Sequence, residues 1–472
     1  MTTATITPQV PGPPPMPIIG GTGNTIRFLA NPIAYMKMLQ RDYGPIARTV
    51  ATPKASLVAL GPDYNRQILS DDDGFYNTNF LFFPVPDDSP PTRLNSGIIM
   101  INGDRHRRHR RLMMPAFHKQ AVANFRDTFV EQTEHMLAAW KPGTTRDIAT
   151  DMKQLTLHIA SITLFGLPPS DSVDALGPML GRWLNYVLDI GAISFPRDLP
   201  GTPYRNMLRH AAKLEAELRA LIASKRAQGG EARDVMAMLI QARDEDGSAM
   251  SEEELIGNAS VIFTAGHETT AYTLTWAMLL LDQHPAVAAN LYDELHGLLA
   301  GNAPTIAQLG QLPLLDRVVK EVLRVLPAAP ASLRVAQRDF ELGPYTLPLG
   351  TTVMTSSYIT HHMPDLYTNA SHFDPSRWET ITPGPYEYLP FNSGPRMCIG
   401  VTFASIEMKI VLAMLVQRFR PTVAPGAKID YRVGATISAP RGLPIKLLPA
   451  GTMHAPEAVR GSIRELVQFA PG

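Results

Sequence analysis

The sequence predicts a mainly helical α+β protein, and three observations lead to this fold class. A capping box of Ser251 and Glu254 opens an apolar helical segment of more than 30 residues. The pattern from about 105 to 330 is mostly helical, whereas 331–450 carries short strands, prolines and turns around one strong helix. A helix so long and so apolar must cross the interior, so helices are expected to form the core beside a smaller β-rich region.

The elements follow one another without an internal repeat or a flexible linker. Residues 1–24 form a proline-rich N-terminal segment, and its Pro/Gly-rich stretch 8–21 should be extended and lie on the surface. Residues 25–450 are expected to form one unit, and the tail 451–472 has no interpretable pattern. The long helix should end at His284 because a proline starts the next helix, and the other strong helix should follow Gly400 and end near Phe419.

Composition excludes several classes of protein. The 472 residues contain 45% apolar residues and equal numbers of basic and acidic residues, 43 of each, so nothing indicates binding to nucleic acid or to an anionic membrane. The N-terminus lacks the pattern of a secretory signal, and no apolar run has the length of a membrane anchor. A single cysteine excludes an intrachain disulfide. We therefore expect a cytoplasmic protein.

One motif surrounds that cysteine. The spacing F-x-x-G-x-R-x-C-x-G runs from Phe391 to Gly400 and places Cys398 just before a predicted helix. Glycines permit the close approach of a flat ligand, and a helix N-terminus stabilises a thiolate. Arg396 could pair with a carboxylate of the same ligand. The alternative is a tight turn around a buried thiol, which the specificity of the spacing disfavours.

The motif resembles the haem-binding loop of the cytochrome P450 monooxygenases of the soluble, bacterial type. The resemblance covers about 25–450 and implies the family's triangular helical unit with a smaller β-rich region. It implies that Cys398 is the axial ligand of the iron of haem b, held in a loop that includes Phe391 and Gly400. An axial thiolate favours O–O cleavage.

The long helix contains the segment A-G-H-E-T-T, which starts at Ala265. Gly266 costs about 1 kcal/mol in a helix interior, and Thr269 can bond to a carbonyl one turn earlier and bend the helix. The pattern indicates a local groove, with a polar patch on an ordinary helix as the alternative. It resembles the family's oxygen-binding kink. The resemblance implies that Thr269 hydrogen-bonds dioxygen and Glu268 relays protons beside the cofactor, with no role for His267.

Two further arginines and a glutamate match a structural motif of the family. Glu321 and Arg324 lie three residues apart, which places them on one helical face. Such a pair is usually a solvated surface contact. Here it resembles the family's E-x-x-R, and Arg377 matches the arginine that completes a buried structural triad.

A basic segment, residues 103–117, contains His106 and Arg110 at helical spacing. A solvated basic face is the plain reading. The segment resembles the family helix that binds a haem propionate, which implies that role for His106 and Arg110. Arg334 lies where the family places another propionate-binding arginine. The remaining arginines of the segment could dock an acidic electron donor: Arg107, Arg108 and Arg111.

The substrate pocket implied by the resemblance should be apolar. A fatty acid, a terpene or a steroid-like molecule would fit such a pocket. The candidate lining residues are Phe80, Phe82, Phe83, Phe263, Ala265, Ala328, Ala329, Leu333 and Ile437.

The predicted activity is the insertion of one oxygen atom from O₂ into an apolar substrate. About 74 residues follow Cys398, which leaves no room for a reductase. Electrons from NAD(P)H are therefore expected to arrive through a separate ferredoxin and ferredoxin reductase, or a flavodoxin, and the chain is expected to be a monomer. Two alternatives remain: a peroxide-dependent peroxygenase or isomerase, and a non-catalytic haem sensor or carrier. Such peroxygenases and isomerases commonly lose the acid–alcohol pair, which Glu268 and Thr269 retain here.

Overall fold

The computed structural model describes residues 9–50, 56–78, 84–167, 171–187, 189–231, 233–453 and 455–469. The helices in these ranges are α1 Gly20–Ala30, α2 Pro32–Tyr43, α3 Pro62–Ser70, α4 Pro90–Leu94, α5 Gly103–Phe117, α6 Lys119–Ala123, α7 Arg126–Ala138, α8 Ile148–Phe165, α9 Asp171–Val187, α10 Ile190–Ser194, α11 Pro203–Gln228, α12 Val235–Gln241, α13 Glu252–Gln283, α14 Pro285–Leu299, α15 Ile306–Leu309, α16 Pro313–Val325, α17 Ser357–His361 and α18 Val401–Arg418. Short 3-10 turns lie at Pro375–Glu379, Gly394–Arg396 and Ser462–Glu465.

Within the described ranges, the strands are short and form four small sheets. They are β1 Ile46–Arg48, β2 Ser56–Ala59, β3 Phe75–Asn77, β4 Thr145–Asp147, β5 Ser332–Ala336, β6 Phe340–Leu342, β7 Tyr345–Leu347, β8 Thr352–Thr355, β9 Phe419–Val423, β10 Arg432–Val433, β11 Ile437–Ser438 and β12 Pro444–Pro449. The largest sheet has the order β1-β2-β8-β5-β3, and β2 pairs with β8 in parallel while its other pairs are antiparallel. The others are β4-β12-β9, β10-β11 and β6-β7.

Helix α13 is the central element, and its start is the predicted capping box. The Ser251 hydroxyl accepts the Glu254 N–H at 3.2 Å, and the Glu254 carboxylate accepts the Ser251 N–H at 3.0 Å. These bonds satisfy two amides that no helical carbonyl can reach. The helix has 32 residues, which makes it about 50 Å long. It is buried from Thr270 to Gln283 and packs along α8, with α4, α11, α16 and α18 also in contact.

The elements around α13 carry the site. Helix α18 contacts α13 and starts three residues after Cys398. Residues Ile437 and Ala328 are joined by a backbone hydrogen bond of 3.2 Å, and the indole N–H of Trp276 in α13 donates to the Ile437 carbonyl at 2.8 Å. The turn before β5 and the β10-β11 hairpin are thereby fixed against the central helix.

Both ends of the described chain pack on this unit. Helix α1 begins at Gly20, so the extended stretch is slightly shorter than the expected 8–21, and the helix starts inside the segment assigned to 1–24. Val10 is buried rather than on the surface, and the Arg48 side chain donates to its carbonyl at 2.8 Å. Near the other end, the Leu466 carbonyl accepts the Tyr358 hydroxyl at 2.9 Å, which ties the tail to α17.

Among the residues that the structure describes, every helix falls short of the combination of length and hydropathy that a membrane span requires.

Candidate active site

The cysteine loop is shaped by backbone that only glycine accommodates well. Gly394 has a φ of +70°, and a Cβ placed on it would lie 2.2 Å from the carbonyl oxygen of Leu69. The loop closes where the Cys398 N–H donates to the Phe391 carbonyl at 2.8 Å. A turn this tight against α3 holds the sulfur just ahead of the α18 N-terminus.

Cys398 is the only cysteine of the chain, and its side chain keeps accessible surface. Surrounding protein still raises the pKa of the thiol by burial, whereas the Gly400 backbone N–H and the charge of Arg110 act to lower that pKa. Accessible surface on a sulfur that is enclosed by protein indicates an internal space next to it. The Gly400 N–H and Arg110 would stabilise the thiolate once it forms.

A second opening lies in the middle of α13. The helix is buried at Val261 and again at Thr270, but residues 264–269 between them are all partly accessible. Among the described residues, a Cβ placed on Gly266 would meet no atom within 4 Å beyond its own stretch of helix backbone. The predicted side-chain bond is present, since the Thr269 hydroxyl donates to the Ala265 carbonyl at 2.8 Å. Helical structure nevertheless continues through this segment.

Phe263 does not belong to the opening, contrary to its prediction as a pocket residue. It has no accessible surface and stacks on Phe165 of α8, with ring centroids 5.4 Å apart and planes 7° apart. The His267 ring lies 5.1 Å from the Phe263 ring, and its Nδ1 lies 2.9 Å from the Phe263 carbonyl oxygen. Residues two apart on a helix point to nearly opposite sides. Phe263 and His267 therefore face α8, while Ala265 and Thr269 face the opening.

Four basic side chains, which we call the basic cluster, lie near the cysteine loop: His106 and Arg110 from α5, Arg334 from β5, and Arg396 from the loop itself. They are close enough for their charges to affect one another. Burial, followed by the charge of Arg396, lowers the pKa of His106 to about 4. Burial likewise lowers the pKa of Arg334 to about 10, with Arg396 contributing. At pH 7, His106 is therefore neutral and Arg334 remains charged.

The basic cluster retains donors for a ligand. Within the described part of the chain, Nη2 of Arg334 and Nδ1 of His106 are buried without a hydrogen-bond partner. Nη1 of Arg334 donates to the Ser332 hydroxyl at 2.7 Å, and Nη1 of Arg110 donates to the Met397 carbonyl at 2.7 Å. Buried polar groups rarely stay unpaired, so these groups indicate a site for an anionic or polar partner.

Arg396 departs from its predicted pairing with a ligand carboxylate. Its Nε donates to Asp72 at 2.5 Å, its Nη1 to the Ile101 carbonyl at 2.7 Å, and its Nη2 to the Asn102 side chain at 2.9 Å. The guanidinium thus has a carboxylate partner from this chain. Sequence reasoning missed Asp72 and Asn102 because neither lies in a motif.

The other arginines of α5 are also paired with acids of this chain. Arg107 contacts Asp73 at 2.8 Å, and Arg111 donates to both oxygens of Asp244 at 2.8 and 2.9 Å. Arg108 contacts Glu254 at 3.1 Å. These pairs compensate the positive charge that a docking surface for an acidic donor would require, so the structure does not favour that hypothesis.

The predicted pocket residues divide into three groups. Phe80, Phe82 and Phe83 lie outside the described residues. Ile437 and Ala328 are buried, and Ile437 has no accessible surface, so its side chain belongs to the core. Ala265 and Leu333 are partly accessible and Ala329 is exposed. The accessible residues are all aliphatic.

Glu321, Arg324 and Arg377 form one buried ionic group. Arg324 donates to the two carboxylate oxygens of Glu321 at 2.8 and 2.9 Å, and Arg377 donates to one of them at 2.9 Å. The Trp378 indole and the Asp374 backbone N–H add bonds of 2.9 and 3.0 Å to the same carboxylate. Neither Glu321 nor Arg324 has accessible side-chain surface. The group joins α16 to the turn at Pro375–Glu379 and contains no free donor aimed at the opening.

His361 is another residue, after Asp72 and Asn102, that the sequence did not single out. Its Nδ1 lies 3.1 Å from the Arg324 carbonyl oxygen, and its Nε2 accepts the Leu389 N–H at 2.7 Å. Accepting at Nε2 requires a neutral ring with its proton on Nδ1. Burial, together with Arg324, lowers the pKa of His361 to about 3.

Comparison with known proteins matches the chain to one family over most of its length. The family model described as Cytochrome P450 matches residues 10–440. Pentalenene oxygenase of Streptomyces avermitilis is 29% identical over 446 residues, which cover 92% of this chain and 96% of that protein. Cyclooctat-9-en-7-ol 5-monooxygenase of Streptomyces melanosporofaciens is 27% identical over 432 residues, which cover 88% and 93%. The structure of retinoic acid-bound cyanobacterial CYP120A1 aligns with a TM-score of 0.81 and 26% identity over 94% of this chain and 100% of that one. These similarities confirm the predicted fold class.

Proposed function

Because the chain belongs to the cytochrome P450 family, we propose that it is a haem-thiolate monooxygenase that hydroxylates a terpene-like substrate. One observation carries this proposal. The accessible Cys398 lies just before α18. The central helix α13 contacts α18 and is only partly buried at residues 264–269. A flat cofactor held between a thiolate and an oxygen-binding segment would fill this arrangement.

The residues around the two openings fit haem b. Cys398 would ligate the iron, and Arg110, Arg334 and His106 would bind the ring carboxylates. Nη2 of Arg334 is buried without a partner in the described structure and is available for this role. The open space beside Gly266 leaves room for a flat ring. When bound, haem with a thiolate ligand supplies the activation of O₂ and the transfer of one oxygen atom to carbon, while the other leaves as water.

Glu268 and Thr269 would manage the protons of this reaction. The Thr269 hydroxyl has one hydrogen, which points to the Ala265 carbonyl, and two lone pairs. In this position the hydroxyl can accept a hydrogen bond from water, and rotation about the Cβ–Oγ bond would free its hydrogen for donation toward the cofactor side. Glu268 is partly accessible next to it and can pass a proton to that water.

The substrate class is inferred from three accessible aliphatic residues and from the relatives. Ala265, Ala329 and Leu333 offer aliphatic surface, which favours a guest held by shape and apolar contact. Two relatives are named for oxidation of pentalenene and of cyclooctat-9-en-7-ol. A cyclic hydrocarbon skeleton of the terpene type agrees with both observations.

The electron supply is inferred from the family. A ferredoxin with its NAD(P)H-dependent reductase, or a flavodoxin, would deliver two electrons in each cycle to a monomeric enzyme. We infer a cytoplasmic location because those reduced carriers are maintained there.

The test is the absorption spectrum of the reduced, carbon monoxide-bound protein for the wild type and for Cys398→Ser. A strongly red-shifted Soret band in the wild type that is lost in the variant supports thiolate ligation. A wild type that binds no haem, or that shares its band with the variant, contradicts it.

Turnover separates the reaction classes. With redox partners, NADPH and O₂, the wild type should convert a cyclic terpene that shifts the spin state of its iron. Conversion with peroxide alone but never with O₂ and NADPH would indicate a peroxygenase. Spin-state shifts produced only by charged, hydrophilic compounds would contradict the substrate class.

A further inference from the structure

Asp72 is a buried carboxylate inside the basic cluster, and nothing in the proposed mechanism uses it. Its side chain is 9% exposed, and its Oδ1 accepts Nε of Arg396 at 2.5 Å. Its Oδ2 is buried without a hydrogen-bond partner in the described structure, 3.7 Å from Nδ1 of His106 and 3.9 Å from Nη1 of Arg107. One oxygen therefore binds Arg396, while the charge on the other is not neutralised by any direct bond.

An unpaired buried carboxylate oxygen is costly, so a packing role alone is a poor explanation of this residue. Arg396 already has acceptors at Ile101 and Asn102 that fix its plane. A neutral amide at position 72 could accept the Nε hydrogen equally well. What only a carboxylate provides at this position is negative charge.

The negative charge of Asp72 changes the net charge of the basic cluster. Arg110, Arg334 and Arg396 each carry one positive charge, and His106 is neutral. With Asp72 the group has a net charge of plus two. Haem b carries two carboxylates, so Asp72 makes the charge of the cluster equal and opposite to that of the ligand it is proposed to bind. Arg107 does not alter this balance, because it is exposed and contacts Asp73 and Asp104.

We propose that Asp72 is a positioning residue that sets the charge of the basic cluster and thereby holds the reduction potential of the haem iron low. The inference rests on the proposed haem site. Reduction adds one electron to the ferric iron, and a nearby negative charge disfavours that added electron. Removing the charge should therefore favour the ferrous form.

The experiment compares the wild type with Asp72→Asn and with a matched control, Asp73→Asn. The control removes a neighbouring charge that is 70% exposed, so solvent should screen it. Potentials are measured by spectroelectrochemistry without substrate, and the carbon monoxide spectrum checks the thiolate ligand in each protein. We expect the ferrous-to-ferric ratio of Asp72→Asn at a fixed applied potential to rise on the order of tenfold, as for one charge acting through protein over roughly 10 Å. The control should match the wild type.

Two further variants separate charge from geometry. Asp72→Ser also removes the charge and should shift the potential in the same direction, which keeps the test valid if the amide misfolds. Asp72→Glu keeps the charge and should stay near the wild type. Neutral variants with the wild-type potential and an intact thiolate spectrum would overturn this inference alone, as would a glutamate variant that shifts as far as the amide. A wild type without a thiolate spectrum would instead overturn the proposed function.

Discussion

The hydroxyl of Thr269 donates to the carbonyl oxygen of Ala265, 2.8 Å away and one turn earlier on α13. Thr270 makes the equivalent bond to Gly266 at 3.1 Å, but it is buried whereas Thr269 is partly accessible. Adjacent threonines with the same local bond thus differ in their access to the open side of the helix. This pair allows the role of the hydroxyl in proton delivery to be tested separately from its role in the helix.

Thr269→Ala should uncouple electron use from product formation. Loss of the hydroxyl removes a group that orders water for proton transfer, and such groups contribute about 10²–10⁴ in rate. We expect product formed per NADPH consumed to fall by about tenfold or more, with peroxide released in its place. Thr270→Ala is the control and should keep the wild-type ratio. Equal ratios in the two variants would contradict the assignment of Thr269.

Glu321→Gln should destabilise the protein strongly. The substitution leaves Arg324 and Arg377 buried without their carboxylate, and breaking a buried pair costs about 3–5 kcal/mol. Urea unfolding followed by fluorescence measures this loss. Glu379, which pairs with Arg317 and is 53% exposed, provides the control. Glu379→Gln should cost less than about 1 kcal/mol, and a similar cost for both would show that the buried group contributes little.

Gly394→Ala should displace the cysteine loop. Alanine at this position combines an unfavourable φ of +70° with a Cβ only 2.2 Å from the Leu69 carbonyl oxygen. Gly426 has a φ of +72° and open space around the added Cβ, so Gly426→Ala isolates the effect of the backbone angle. We expect the Gly426 variant to lose about 1 kcal/mol of stability and to keep its full haem content. The Gly394 variant should lose more stability and should also lose part of its haem. Equal haem content would mean that the loop absorbs the contact.

Stability should fall in acid as His361 becomes protonated. Its pKa of about 3 in the folded protein lies below the ordinary 6.5. The contribution of the neutral His361 ring to the free energy of unfolding is therefore complete above pH 6.5, and it is lost as pH falls from 6.5 toward 3. One proton corresponds to about 1.4 kcal/mol for each pH unit within that window. Protonation would also break the bond from Leu389, because Nε2 could no longer accept.

Urea midpoints between pH 6.5 and 4 test this dependence. His361→Asn should be less stable at pH 7 but should show a shallower slope with pH. A variant of the exposed His118, His118→Asn, should retain the wild-type slope. An unchanged slope in the His361 variant would assign the acid sensitivity to other groups.

Features that depend on neighbouring residues could be predicted from the sequence. The capping box and the proline after His284 define the two ends of α13. Each signal lies within a few residues of the helix end that it marks. The cysteine loop and the beginning of α18 are equally local. Fold class and the family resemblance followed from such patterns because each pattern has a local physical cause.

Long-range partners could not be predicted in this way. Arg396 binds Asp72, which is 324 positions away and lies in a turn without a motif. His361 bonds to Arg324, 37 positions earlier. Phe263 illustrates a different error, because helical phase already places it away from Ala265, although both were assigned to the pocket. Its true neighbour, Phe165, belongs to another helix.

Because the chain has a single cysteine and that cysteine is accessible, thiol labelling can measure the cofactor content of a preparation. On the proposed assignment, iron ligation would occupy the sulfur of Cys398, whereas a molecule without haem would leave that thiol open to alkylation. Since the chain has no other thiol, the moles of reagent incorporated per mole of native protein equal the fraction of molecules that lack haem. Preparations of each variant can thus be corrected to the number of loaded molecules before their rates are compared.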